Sequence, residues 1–223
     1  PRATSQESSA ALHALEGLEL PQAELREIFF EMSSDRDRLR TYYRELALSL
    51  RDELELGRQV GYLTLGDSMT YSTYGYLINA LREIYPQLRH RTYAGITSFA
   101  AIAAHFDWPL GEGKERVLLL PCPEGMPALR ADILTHDLVV LMKIGRRLPQ
   151  VLALLEELGI SENCVFAQRL GFAEERTSYG LADLPRDTET GYLSTMLIRR
   201  EAHQPRHQLP TRPLGETLSE PTA

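Results

Sequence analysis

The stretch RVLLLPCPEGMPALRADILTHDLVVLMKIGRRLPQVLALLEELGISENCVFAQ, residues 116–168, decides the fold class of this 223-residue chain. Three short apolar runs alternate in it with two longer segments of helical periodicity. In chain order, the five segments are 116–120, 127–134, 137–142, 147–158 and 164–168. Because this alternation is typical of βαβ units, it predicts an α/β domain built on parallel strands.

The upstream part of the chain repeats the alternation in a shorter form. The run QVGYLTL (59–65) predicts a strand, and a polar loop and helical periodicity over 77–84 follow it. A second predicted strand, 89–93, leads through a glycine turn into a predicted helix of small residues, 98–106. The upstream part is therefore also predicted to be α/β.

A glycine-containing linker separates the two patterns. Gly111 and Gly113 flank polar residues between the last upstream helix and the next strand. We therefore expect two α/β domains, 1–110 and 111–200. The remainder, 201–223, carries four prolines without hydrophobic periodicity, which predicts a disordered tail.

Other segments have clear local signals. A long helix over 35–56 is predicted, capped by Ser34 and ended by Gly57. The remaining predictions are a capping box of Thr4 and Glu7 opening a helix that closes at Gly17, a strand at 27–30, and strands 177–181 and 191–199. The last two are joined by too little sequence for a full helical crossover, which favours an antiparallel contribution to the sheet.

Composition excludes several classes of protein. The 24 Lys and Arg against 31 Asp and Glu give a net charge of -7, which argues against a general nucleic-acid binder. Apolar stretches fall well short of the roughly 20 residues that cross a bilayer. Cys122 and Cys164 lack C-x-x-C spacing and sit in apolar surroundings, so they predict reduced thiols in a cytoplasmic protein without a bound metal.

Ligands in open α/β sheets bind beyond the carboxyl ends of the strands, which directs attention to the residues after each apolar run. Four such segments stand out: 65–73 (LGDSMTYST), 94–99 (AGITSF), 141–147 (LMKIGRR) and 168–172 (QRLGF). Each has an ordinary interpretation as a capped helix start or a solvated turn. The alternative is a single binding site to which all four contribute.

Common catalytic motifs are missing from the sequence. It contains no G-x-G-x-x-G, no G-x-x-x-x-G-K-[ST] and no G-x-S-x-G. His203 and His207 have i, i+4 spacing, but Pro205 between them disfavours the helix that a metal site would need. The residues alone therefore leave the reaction open.

The string LTLGDSMTYSTYGYL (63–77) resembles the signature of the tetrapyrrole methyltransferases, especially their C(20) branch, which typically reads LGDPMLYST. Further matches follow in the expected order, and the combination of YST with MK-x-GR is rather specific for that branch. They are AGITSFAAIAAHFDWPLGEG (94–113), VVLMKIGRRLPQVLALLEELG (139–159) and GYLSTMLIRR (191–200).

The resemblance implies two α/β domains in a homodimer, with S-adenosylmethionine folded into the groove between the domains. By position, the implied cofactor contacts are Leu65, Gly66, Asp67, Thr70, Thr97, Ser98, Met142, Leu170, Gly171 and Thr195. The implied substrate is precorrin-2 or cobalt-factor II, methylated at carbon 20. Rival interpretations are a relative that methylates another ring carbon or a non-tetrapyrrole acceptor, and a binding protein without catalysis.

Methyl transfer from a sulfonium needs alignment and exclusion of water more than a protein nucleophile, which fits the missing motifs. We expect Asp67 and its loop to hold the donor at the catalytic centre. Tyr71 and Tyr74 are the candidates for positioning the macrocycle or moving a proton. The expected substrate contacts are Tyr74 and four cations suited to carboxylates, namely Lys143, Arg146, Arg147 and Arg169.

Three departures from the family pattern stand out. Ser68 and Ala94 replace the usual prolines of the GDP and PGI strings, which loosens two turns. The sequence begins after the position where the family has its first strand and Gly-rich G-x-G-x-G-D-P loop. The resemblance therefore leaves one wall of the expected groove unassigned.

Overall fold

The computed structural model describes residues 23–28, 35–184, 186 and 193–202, together with the single positions 11, 15 and 17. The predicted capping box at Thr4, the Ser34 cap and the tail beyond residue 202 lie outside the described residues, as do parts of the predicted strands at 27–30 and 191–199.

The chain divides into two compact units, Pro1–Thr97 and Ser98–Ala223. The sequence pattern placed the boundary near residue 110, in the glycine linker. The difference has a physical reason, since the helix that begins at Ser98 packs on the sheet of the second unit. Its buried Ile102 shares a hydrophobic cluster with Val140 and Leu197.

Two helices form the core of the first unit. Helix α1 (Arg36–Glu55) begins at Asp35, whose side chain accepts hydrogen bonds from the amides of Asp37 and Arg38. Helix α2 (Tyr74–Ile84) packs against it. The buried residues of this cluster are Tyr43, Ala47, Leu77 and Leu81. Both helices were predicted, although α2 starts earlier than its periodicity indicates.

The strands predicted in the first unit are absent from the residues described there. Segments 59–65 and 89–93 and residues 27 and 28 have no regular secondary structure. A strand needs a neighbour that pairs with its amides and carbonyls, and these segments have no such ladder. Val60, Leu63 and Leu65 are each 42% exposed, so their apolar character does not reflect burial in a sheet.

The second unit follows the predicted order closely. Helix α3 (Ser98–His105) precedes β1 (Val117–Pro121), α4 (Met126–Thr135), β2 (Leu138–Met142), a short 3-10 turn (Gly145–Arg147), α5 (Leu148–Glu157), β3 (Cys164–Gln168), β4 (Arg176–Tyr179) and β5 (Ser194–Arg199). Pro127 and Pro149 stand at the starts of α4 and α5, where a missing amide hydrogen is harmless.

These strands form one sheet in the order β1-β2-β5-β3-β4. Strands β1 and β2 are parallel, whereas β5 is antiparallel to both of its neighbours and β4 is antiparallel to β3. The antiparallel contribution at the end of the chain is thus confirmed. Strands β1, β2 and β3 run in the same direction, as predicted. However, β2 and β3 are not neighbours, because β5 lies between them.

The sheet is covered on both faces, which explains why β2 is apolar throughout. Val139 and Leu141 belong to the cluster that includes residues of α4 and α5, while Leu138 and Val140 belong to the cluster that includes α3. None of the helices described is long and apolar enough to cross a membrane.

Candidate site at the strand ends

Asp67 organises the first polar loop by accepting hydrogen bonds on both carboxylate oxygens. Oδ1 accepts from the Met69 amide at 3.0 Å and from the Thr70 hydroxyl at 2.8 Å, and Oδ2 accepts from the Gly95 amide at 3.1 Å. The Gly95, Thr70 and Met69 donors hold the pKa of Asp67 below its usual value. An ionised carboxylate with this many donors is a weak proton acceptor but an effective structural tie.

The same loop closely approaches the segment 93–97. A Cβ atom added to Gly95 would lie 2.2 Å from the Gly66 carbonyl oxygen, so only glycine fits there. Gly66 itself has a positive φ of 65° and lies against the Ile96 carbonyl and Thr97. The predicted cofactor residues Gly66, Asp67 and Thr97 are therefore brought together within the first unit.

Tyr71 and Tyr74 occupy different environments. Tyr71 has a left-handed backbone with φ 52° and is 47% exposed. Such a conformation is strained for a bulky residue, and strain of this kind often marks functional sites. The hydroxyl of Tyr74 pairs with the Thr92 hydroxyl at 2.9 Å, and its ring lies 5.9 Å from that of Tyr62. Tyr74 thus has a structural role besides its predicted contact with substrate.

In the second unit, one edge of the sheet carries several predicted residues. Met142, at the end of β2, lies opposite Thr195 of β5, which also lies opposite Ala167 of β3. The Thr195 hydroxyl is 3.0 Å from that of Ser98, the first residue of α3. Half-buried Leu170 and Met142 pack on the same cluster of buried residues. The hydroxyls of Ser98 and Thr195 and the apolar side chains of Met142 and Leu170 thus occur together in the second unit.

The turns at this edge contain three non-glycine residues with left-handed backbones. Lys143 follows β2 directly with φ 53°, Arg169 follows β3 with φ 50°, and Leu193 precedes β5 with φ 54°. The Arg169 amide donates to the Leu193 carbonyl at 3.0 Å. Two predicted substrate cations therefore flank the start of β5.

Arg147 differs from the other predicted substrate cations because a carboxylate already pairs with it. Its Nη1 lies 2.6 Å from Oε1 of Glu124, and its side chain is 28% exposed. Burial raises the pKa of the nearby Cys122 thiol, while Arg147 acts in the opposite direction. Arg146 is exposed on the 3-10 turn. The two arginines are therefore not equivalent, although the sequence treats them alike.

Some site contacts were not predicted from the sequence. Glu175 accepts a hydrogen bond from the Gly171 amide at 2.7 Å, fixing the turn after β3. Ser68 donates to the Tyr93 carbonyl at 2.8 Å. The Ser68 bond joins residues 25 positions apart that only the folded backbone brings together, whereas the Gly171 bond spans four positions within one turn. Among the residues described, no group of three or more His, Cys, Asp or Glu is arranged to hold a metal ion.

Polar groups of this chain lie at the carboxyl ends of β2 and β3, the end of the sheet where open α/β proteins commonly bind ligands. A profile of the tetrapyrrole (corrin/porphyrin) methylases matches residues 5–184. The chain therefore belongs to this family of methyltransferases.

The chain is similar in sequence to several methyltransferases. The cobalt-precorrin-2 C(20)-methyltransferase of Salmonella typhimurium is 31% identical over 185 residues, covering 81% of this chain and 75% of the relative. A probable enzyme of the same name from Methanocaldococcus jannaschii is 29% identical, with 79% and 73% covered. The precorrin-2 C(20)-methyltransferase of a Sinorhizobium species is 27% identical, with 70% and 62% covered.

Solved structures support the fold. The cobalt precorrin-4 methyltransferase CbiF matches with a TM-score of 0.57 and 18% identity, over 77% of this chain and 74% of that one. The methyltransferase CobJ matches with a TM-score of 0.52 and 20% identity, over 79% and 77%. The expected α/β fold of this family is thus confirmed.

Proposed function

We propose that this chain transfers a methyl group from S-adenosylmethionine to carbon 20 of precorrin-2 or of cobalt-factor II in corrin ring biosynthesis. The observation that carries the proposal is the 31% identity to a C(20)-methyltransferase across 81% of the chain. The match to the family profile, residues 5–184, includes the four polar segments 65–73, 94–99, 141–147 and 168–172. These are the segments where a ligand would bind if they follow the carboxyl ends of strands.

The residues at the strand ends suit S-adenosylmethionine. Adenosine presents a flat apolar ring and ribose hydroxyls, for which Met142, Leu170 and the hydroxyls of Ser98 and Thr195 offer matching groups. In the first unit, Gly66 and Gly95 are exposed residues whose backbones approach closely because neither carries a Cβ atom, and they are proposed as contacts beside the cofactor loop. The full proposed set is Leu65, Gly66, Asp67, Thr70, Thr97, Ser98, Met142, Leu170, Gly171 and Thr195.

When bound, the sulfonium of S-adenosylmethionine supplies an already activated methyl group. The protein residues then have to align the acceptor carbon and exclude water. Asp67 holds the loop in place, and its lowered pKa makes it unsuited to accept the proton that the bridge carbon loses. Tyr71, strained and exposed beside that loop, is the proposed residue for positioning the macrocycle or moving this proton.

The carboxylates of the macrocycle are proposed to bind Lys143, Arg146, Arg147 and Arg169, and Tyr74 is proposed as a further substrate contact. A partly desolvated charge-assisted hydrogen bond contributes about 1.5–3 kcal/mol. Replacing both Arg146 and Arg147 by Gln should therefore weaken tetrapyrrole binding about tenfold or more and leave S-adenosylmethionine affinity unchanged. The single variant Arg146→Gln is informative because it leaves the ion pair of Arg147 with Glu124 intact.

The deciding experiment is calorimetry with S-adenosylmethionine, followed by a methyl-transfer assay on precorrin-2 and cobalt-factor II with product identification by mass spectrometry and NMR. Binding without turnover on either substrate would favour a binding protein, and methylation at another ring carbon would favour a different member of the family. Comparison of the two substrates shows whether cobalt is present at this step.

We also propose a cytoplasmic homodimer. Cys122 and Cys164 are buried, unbridged thiols, which fits a reducing compartment. Sedimentation velocity at micromolar concentration should give a species of about twice 25.2 kDa. A single species of monomer mass would refute the dimer.

A further inference from the structure

Two chain segments of the first unit are tied together at three points. The Ser68 hydroxyl donates to the Tyr93 carbonyl at 2.8 Å, and the Gly95 amide donates to the Asp67 carboxylate at 3.1 Å. The third point is the contact between the Gly95 backbone and the Gly66 carbonyl, where an added Cβ would be 2.2 Å from oxygen. We call these three ties between segments 66–70 and 93–97 the loop clamp.

The three ties differ in what they hold. Asp67 also accepts hydrogen bonds from Met69 and Thr70, so its carboxylate shapes its own loop as well as crossing to Gly95. The hydrogen bond that the structure gives the Ser68 side chain runs only across the clamp. Proline, the usual residue at this position in the resembling sequences, has no hydroxyl, so this tie is a property of the present chain.

We propose that Ser68 is a positioning residue that sets the affinity for S-adenosylmethionine by fixing the loop clamp. The inference rests on the proposed function, in which Gly66 and Thr97 bind the cofactor. Gly66 belongs to one segment of the loop clamp and Thr97, two residues after Gly95, belongs to the other. Both residues therefore move if the two segments separate. Without the Ser68 hydroxyl, binding must first order the two segments, which weakens binding but leaves the methyl-transfer step unchanged.

The expected change is that of one neutral hydrogen bond. Such a bond shifts an equilibrium by about three- to tenfold. Ser68→Ala should therefore raise the dissociation constant for S-adenosylmethionine, and its KM, by about three- to tenfold. The value of kcat at saturating cofactor should stay within about twofold of the wild-type value, because the methyl donor and acceptor are then aligned as before.

The chain offers a matched control. Ser49 on α1 donates its hydroxyl to the Leu46 carbonyl at 2.8 Å, the same distance as the Ser68 bond, but within its own helix. Ser49→Ala should leave cofactor affinity unchanged. Ser68→Thr keeps a hydroxyl and should recover most of the affinity that Ser68→Ala loses. Thermal denaturation of each variant separates a folding defect from a binding effect.

Calorimetry with S-adenosylmethionine is the first measurement, and amide hydrogen exchange at Gly95 is the second. Faster exchange at Gly95 in Ser68→Ala, together with weaker binding, supports the proposal. Equal affinity of wild-type protein and Ser68→Ala overturns it, as does a fall in kcat at saturating cofactor with unchanged affinity. Failure of the wild-type protein to bind S-adenosylmethionine would instead refute the proposed function, and unchanged exchange at Gly95 would then refute the clamp separately.

Discussion

The substitution Gly95→Ala tests how far the first unit depends on the close approach of its two polar segments. The added methyl would lie 2.2 Å from the Gly66 carbonyl oxygen, 3.0 Å from the Gly66 carbonyl carbon and 3.4 Å from the Asp67 Cα. All three are backbone atoms, so no side-chain rotation relieves the overlap. Non-bonded heavy atoms prefer separations of roughly 3.5 Å, so the segments must part by about 1 Å.

That displacement has two consequences. It stretches the Gly95 amide to Asp67 hydrogen bond, now 3.1 Å long, beyond hydrogen-bonding distance. Overpacking of this kind typically destabilises a protein by about 1–3 kcal/mol. Urea denaturation should show a loss in that range, and calorimetry should show affinity for S-adenosylmethionine reduced about tenfold or more.

Gly61→Ala is the matched control for Gly95→Ala. A Cβ at Gly61 meets nothing within 4 Å, and neither glycine has a left-handed backbone. The free energy of unfolding of Gly61→Ala should equal that of the wild-type protein or exceed it by about 0.4–1 kcal/mol, because alanine restricts the unfolded chain. If the two variants have equal stability and equal cofactor affinity, the close approach of the two segments is not a constraint on this protein.

Three further predictions concern the second unit. Glu115→Gln should destabilise the protein by about 3 kcal/mol in urea at pH 7, because Arg199 is only 4% exposed and loses its carboxylate partner at 2.8 Å. Arg199 holds the pKa of Glu115 below its ordinary value, so this difference should persist above about pH 4.3 and disappear as pH falls through the lowered pKa. Thr195→Val should remove the 3.0 Å contact with Ser98 and reduce cofactor affinity by about two- to tenfold in calorimetry. Burial raises the pKa of Cys164 to about 12, so this thiol should resist a disulfide reagent at pH 8 until the protein unfolds; rapid reaction of native protein would contradict its burial.

The second unit was predictable because its pattern and its packing agree. Strands β1, β2 and β3 are mainly apolar runs of five residues, and both faces of the sheet are covered by helices. Prolines at the starts of α4 and α5 mark where those helices begin. The position of β5 between β2 and β3 was not predictable, because strand order depends on which edges remain open after the other strands have paired.

The first unit was harder to predict since its apolar runs are not buried by a sheet. Leu63 and Leu65 have strand-like alternation, yet both are 42% exposed. Sequence patterning reports the side chains that prefer burial and says nothing of whether a pairing partner is present. Capping was ambiguous for a similar reason, because Ser34 and Asp35 are both good N-cap residues and backbone geometry makes Asp35 the cap.

Side-chain partnerships at the site depend on contacts between residues distant in sequence. The sequence indicates that Asp67 is polar and near a ligand, but its bond to Gly95 spans 28 positions. Arg146 and Arg147 are neighbours with the same chemistry, and only the fold places Glu124 beside Arg147. The segments of the candidate site could thus be proposed from the sequence, whereas the hydrogen bonds and ion pairs among their residues could not.

The left-handed residues at the sheet edge strengthen the argument for a functional site there. Asp107 also has a left-handed backbone, but it follows α3, where such a conformation commonly ends a helix. Lys143 and Arg169 instead follow β2 and β3, and Leu193 precedes β5; glycine would remove a strain of about 1–3 kcal/mol at each position. Two of these three positions carry long cationic side chains, which glycine would eliminate. The combination of a left-handed backbone with a cationic side chain at Lys143 and Arg169 therefore favours the proposed role of these residues in binding a substrate with several carboxylates.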